Sequence, residues 1–278
     1  MDTKKVWLVT GASKGLGLSL VKKLLKEGYK VAATSRTVES LEKEVGTSEN
    51  FLPLEVNITD EKSVSNAITK TLEIFGNIDV VVNNAGYGQR GVLEELSDKE
   101  TRQNFDVNVF GTLNVIRSVM PHFRSKKSGH IINIASIGGF IGTFPGFGIY
   151  FATKFAVVGL TESLSAEAKE LGIKATVVYP GYFRTNFLDK SSIRLPQNPI
   201  EDYTSARKSE HWHLSEMNGK QLGNPDKASI AFIQLAESEN PPLHFFMGSD
   251  AFGLAYSKIE VLQNELTTSE VLSKSTDF

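Results

Sequence analysis

Val6-Trp7-Leu8-Val9-Thr10-Gly11-Ala12-Ser13-Lys14-Gly15-Leu16-Gly17 runs from a short apolar segment through a glycine-rich turn. Leu16, Leu20 and Leu24 then recur at helical spacing. A strand that passes through glycines straight into a helix leaves backbone N–H groups free at the helix N-terminus, where they favour an anion. Glycines at this junction also permit a tight turn, close approach of backbone to a pyrophosphate and close helix–strand packing. The motif predicts a dinucleotide site on Gly11, Ser13, Lys14, Gly15, Leu16 and Gly17. A glycine-rich turn without a ligand is the competing reading.

Outward from this stretch the alternation repeats. Strands are expected over residues 29–34, 50–56, 78–82, 131–135, 174–179 and 243–247. Helices are expected over 60–75, 101–123, 150–171, 226–237 and 250–262. Residues 78–82 are apolar throughout, as a strand buried on both faces should be. The pattern predicts an α/β fold, a doubly wound parallel sheet (Rossmann fold), as a single domain over residues 1–278. Residues 183–224 show no clean period and are too long for a plain connection, so a substrate-binding lid with some helix is expected there. Residues 267–278 are polar and expected to fray.

Composition narrows the function classes. The 278 residues carry a formal net charge of −2, which provides no basic surface for nucleic acid. There is no cysteine, which excludes disulfides, thiolate metal sites and cysteine nucleophiles. No apolar run is long enough for a bilayer, and the N-terminal one is too short for a secretory signal. A cytoplasmic protein without membrane or nucleic-acid partners is expected.

The second strand ends in Thr34-Ser35-Arg36, without the acidic residue that takes a ribose 2′-hydroxyl in NAD-binding sheets. Arg36 can instead fork a 2′-phosphate, and Lys14 adds a second positive charge. The expected cofactor is NADP(H); two solvated surface charges are the alternative. Tyr150 and Lys154 are four apart in a helical segment and share a face. A nearby ammonium and the positive nicotinamide of an oxidised cofactor both favour the phenolate, a combination that would tune Tyr150 toward acid–base work. Ser136 directly follows residues 131–135, at the carboxyl edge where such sheets bind ligands. It can hold a carbonyl oxygen there, or simply cap a turn. Asn84, Ala85 and Gly86 end the fourth strand on the same edge.

These motifs, taken in order, resemble the short-chain dehydrogenase/reductase (SDR) superfamily over roughly the first two-thirds of the chain. The matching residues are Thr10 to Gly17, Asn83-Asn84-Ala85-Gly86, Asn108 within Phe105 to Gly111, Ser136, Tyr150-Phe151-Ala152-Thr153-Lys154, and Pro180-Gly181. The resemblance implies a catalytic tetrad of Asn108, Ser136, Tyr150 and Lys154, with Asn108 holding a water that relays protons to Lys154. It implies that Lys154 also contacts the nicotinamide ribose, that Pro180 and Gly181 flank the nicotinamide, and that Thr185 binds its carboxamide. It further implies a homodimer or homotetramer through the long helices. Asn57-Ile58 stands where the family often has an aspartate facing the adenine; Asn57 retains a side-chain carbonyl for that contact. The C-terminal third is similar to the branch labelled 17-beta-hydroxysteroid-dehydrogenase-like.

Residues 137–149 mix glycines with Phe140, Phe144 and Phe147, and Tyr87, Tyr182 and Phe183 lie on other loops of the same edge. An apolar mouth suits a hydrophobic carbonyl or alcohol. His211 and His213 have no companion ligands, so no metal is expected. An epimerase or dehydratase on this fold would carry a longer substrate domain. A dinucleotide-sensing protein would commonly lack the reactive tyrosine, which is present.

Overall fold

The computed structural model describes residues 4–278. The first half alternates β1 (Val6–Val9), α1 (Gly15–Lys26), β2 (Lys30–Ser35), α2 (Val38–Val45), β3 (Phe51–Glu55), α3 (Glu61–Phe75) and β4 (Val80–Asn83). A two-residue β5 (Gly88–Gln89) precedes α4 (Asp98–Phe105), α5 (Gly111–Lys126), β6 (Gly129–Ile134), α6 (Gly148–Ala168) and β7 (Ile173–Pro180). The chain continues with β8 (Ile193–Arg194), α7 (Thr204–His211), α8 (Pro225–Glu237), β9 (His244–Met247) and α9 (Ser249–Lys274). Seven parallel strands form one sheet in the order β3-β2-β1-β4-β6-β7-β9. The order reverses between β1 and β4, which opens a crevice at their carboxyl ends.

Side chains alternate across each strand, so the sheet feeds two cores. Trp7, Val9, Val31 and Val80 pack with Leu20, Leu24 and Phe232 from α1 and α8. Leu8, Ala32, Val81 and Ile131 pack with Val64, Val119 and Phe123 from α3 and α5. Burial on both faces explains why these strands read as continuous apolar runs. No described helix is long and apolar enough to cross a membrane.

Two expectations change in detail. The helix expected over 101–123 begins earlier, at a capping box formed by Ser97 and Glu100, and widens to a π-helical turn over Asp106–Phe110 before continuing as α5. The tail expected to fray over 267–278 is instead helical through Lys274. The hydroxyls of Thr267, Thr268 and Ser269 bond carbonyls four residues back, and Lys274 pairs with Glu270 on the same face. Polarity there reflects an exposed helix, not a failure to form one.

Phe123 is fully buried beneath Gly129 and should anchor the second core. Phe123→Ala is expected to destabilise the fold by about 3–5 kcal/mol, read as a lower urea midpoint at unchanged slope. His130 is buried in β6. Its Nε2–H donates to Thr176 Oγ1 at 2.9 Å, since that hydroxyl spends its own proton on Pro242 O. Burial, then Lys174 and Lys5, push its pKa down to about 3. The unfolded chain therefore binds the proton first, and His130 should cost stability as pH falls from about 6.5 toward 3. His130→Asn should flatten that part of a denaturation-versus-pH curve; an unaltered curve assigns the acid sensitivity to other groups.

Candidate active site

The crevice is a cavity of about 380 Å³. Around it stand Gly11 to Leu16 except Ala12, the ends of β2, β4, β6 and β7, and residues of the 182–221 segment. Gly11 and Gly15 have φ of +63° and +60°, and a Cβ on Gly11 would lie 2.6 Å from Ala85 Cα. Only glycine lets the turn pass that close to β4. Lys14 is the N-cap of α1 and caps nothing with its side chain, and no acid occupies the first turn. The helix N-terminus thus remains available to an anion.

Lys14 Nζ donates to Ser191 O at 2.7 Å and to Ser191 Oγ at 3.1 Å, linking the glycine turn to the 183–224 segment. Its pKa is lowered chiefly by burial and next by the Arg36 charge, with Asp189 opposing. The two cations expected at a 2′-phosphate therefore face one region of the rim.

Tyr150, Lys154 and Ser136 meet on the cavity wall. Ser136 Oγ accepts from Gly138 N at 3.1 Å, and its hydroxyl is near enough to the Tyr150 phenol to lower that phenol's pKa. Lys154 Nζ donates to Ile134 O at 2.9 Å and lies 5.7 Å from the centre of the Tyr150 ring. Burial pushes the ammonium down to about 8. Burial also pushes the phenol well above its ordinary value; the Ser136 hydrogen bond pulls it back, and Tyr182 adds to the rise. Burial is thus the largest influence on both groups, and it acts on each toward its neutral form.

The remaining expected residues sort by contact. Arg36, Asn57, Ile58, Asn84, Ala85, Gly86, Pro180, Gly181 and Thr185 all line the cavity. Gly17 does not: a Cβ there would strike Asn84 Nδ2 at 2.5 Å, so it serves helix–strand packing. Asn108 lies behind the wall in the π-helical turn. Its Oδ1 accepts from Tyr87 N, and its Nδ2 donates to Tyr87 O and Thr153 Oγ1, each at 3.0 Å. Asn57 Oδ1 is occupied by Thr59 N and Oγ1, so its carbonyl is not the free end; the amide nitrogen is.

Of the aromatic residues expected at the mouth, Phe144, Phe147, Tyr87, Tyr182 and Phe183 line it. Phe140 instead packs on Phe246 and Tyr179. Phe151, Phe187 and Leu188 were not expected there and complete the apolar wall, with the Phe187 ring 5.9 Å from that of Tyr150. His213 is buried against Phe147. Its Nδ1–H donates to Ser209 O at 2.6 Å, so Nε2 accepts from the Tyr182 hydroxyl at 2.8 Å. Burial pushes it down to about 4, which keeps it neutral. His211 is exposed. Phe187, Leu188 and His213 come in only through the three-dimensional fold of 183–224; their spacing carries no signal.

A family model described as short chain dehydrogenase matches residues 5–195. A 3-ketodihydrosphingosine reductase from Bacteroides thetaiotaomicron is 35% identical over 249 residues, covering 88% of each chain. The crystal structure of a short-chain dehydrogenase from Streptomyces avermitilis superposes with a TM-score of 0.89 at 33% identity, covering 98% of this chain and 100% of that one. ElxO with NADP bound superposes with a TM-score of 0.74 at 28% identity, covering 90% and 99%; another solved neighbour holds NADH. Fold, cradle and matched residues agree: this chain is an oxidoreductase belonging to the short-chain dehydrogenase/reductase family.

Proposed function

We propose that the protein is an NADP(H)-dependent oxidoreductase that reduces a carbonyl on a hydrophobic small molecule or oxidises the matching secondary alcohol. The observation that carries this reading is the meeting of Ser136, Tyr150 and Lys154 in the cavity that the glycine turn opens. The bare cradle at Gly11, the open N-terminus of α1 and the paired cations Lys14 and Arg36 fit a phosphorylated dinucleotide. When bound, the nicotinamide group supplies or takes the hydride.

The protein does the rest. Ser136 is held by accepting from Gly138 N, and in this reading its hydroxyl proton turns from the Tyr150 phenol to the substrate oxygen. Tyr150 gives that oxygen its proton, and burial keeps the phenol in the acid form that reduction needs. Lys154 stabilises the charge left on the phenolic oxygen. Asn108 acts in this reading as a positioning residue, because its amide is spent on Tyr87 and Thr153. Thr185, whose hydroxyl caps the turn Asn186–Leu188, places the chain beside the nicotinamide end. The aromatic wall and the C-terminal third support a hydrophobic substrate and a place in the 17-beta-hydroxysteroid-dehydrogenase-like branch, without naming a steroid. Phe110 and Phe155, exposed on the long helices, support assembly as a homodimer or homotetramer through that face.

Titration with NADPH and NADH, followed by nicotinamide absorbance with ketones, aldehydes and quinones, tests the reading. NADPH should bind more tightly, and one compound class should drive absorbance decay. Tyr150→Phe is expected to keep NADPH binding and lose about 10²–10⁴-fold in kcat; retained turnover would remove Tyr150 as the acid. Arg36→Asp should weaken NADPH by about tenfold or more while sparing NADH. An unchanged preference would place the 2′-phosphate elsewhere.

A further inference from the structure

Within the described residues, several side chains bury a polar atom that has no protein partner: Trp7, Asn83, Arg90, Asn104, His130, Arg207 and Gln221. Gln221 alone among them lies on the cavity wall. It is 1% exposed, and both its Oε1 and its Nε2 are unpartnered. A buried amide with neither end satisfied is a costly arrangement, and in native proteins it calls for an explanation.

The mount is rigid. Gln221 O accepts from Arg184 Nε at 3.2 Å and Nη2 at 3.1 Å. Two residues on, Gly223 N donates to Tyr182 O at 2.9 Å and Gly223 O accepts from Arg184 N at 2.8 Å. A Cβ on Gly223 would lie 2.7 Å from the Phe183 ring, so the two segments, joined by a parallel bridge between Phe183 and Gly223, touch along this line. Leu222 between them is turned out and 80% exposed. The alternation leaves Gln221 facing inward, beside the segment that leaves Pro180 and Gly181.

We propose that Gln221 is a hydrogen-bonding subsite of the cavity, for a ligand group that both donates and accepts: a primary carboxamide or a hydroxyl. A bare carbonyl would satisfy only its Nε2 end, and a hydrocarbon neither. Two sources can present this chemistry, the carboxamide of the nicotinamide or a polar substituent on the substrate. The proposal rests on the cavity being the dinucleotide and substrate site.

Gln221→Met keeps the length of the side chain and removes both polar atoms. Wild type and variant are titrated calorimetrically with NADPH, its 3-acetylpyridine analogue and adenosine 2′,5′-bisphosphate, then assayed with cyclohexanone and 4-hydroxycyclohexanone. If the carboxamide is the ligand, the variant loses about tenfold in affinity for NADPH, binds the bisphosphate unchanged, and no longer favours NADPH over the analogue. If the substrate supplies the group, NADPH affinity is unchanged and KM rises for the hydroxylated ketone against the plain one. No change in either arm overturns the proposal. The ligand-free variant should melt no lower than wild type, because no protein partner is lost; a clear drop would also overturn it. A wild type that binds no NADPH would instead sink the cofactor reading itself.

Discussion

Asn84 ties the carboxyl ends of β1 and β4 together by donating to Thr10 O and Gly11 O, each at 2.9 Å. Thr10 Oγ1 returns the contact by accepting from Asn84 N at 3.0 Å and Ala85 N at 3.1 Å. These bonds stand at the point where the strand order reverses, so they set the width of the crevice. Close approach is possible only because Gly11 and Gly17 present no side chain to β4. A bulkier residue at either position would push α1 away and move every group that the crevice aligns.

The reactive groups are placed by a second compromise. The site brings a phenol and an ammonium out of water together, and burial acts on both toward their neutral forms. Lys154 recovers some of the loss from Ile134 O, and Tyr150 from Ser136. The apolar wall that disfavours charge also strengthens each remaining polar contact. The same wall holds the neutral His213, which fixes the Tyr182 hydroxyl.

The sheet was legible because the central strands β1 and β4 are almost wholly apolar and the glycine turn follows β1 directly. The side chains aligned by the sheet edge, Ser136, Tyr150 and Lys154, were legible for the same reason: a strand end or a helical i, i+4 step fixes where they point. Asn108 was recognisable only through its motif, since a π-helical turn has no separate sequence signature from the helices flanking it. Gln221, Phe187 and the burial of His213 were not legible. They reach the cavity through the fold of 183–224, whose contacts come from distant partners such as Tyr182, Arg184 and Phe147. The tail was misread because polarity was taken for disorder where i, i+4 contacts hold a helix.

The strand order also bears on how the chain emerges from the ribosome. β2 and β3 add on one side of β1, and β4, β6, β7 and β9 add in turn on the other. Every new strand joins an open edge, and none has to be threaded between partners already paired. The phosphate cradle, closed by Asn84, is complete in chain order before Tyr150 has been translated. A nascent chain can thus close the glycine cradle early, while α8 and the Ser191 contact to Lys14, which complete the packing around it, arrive last.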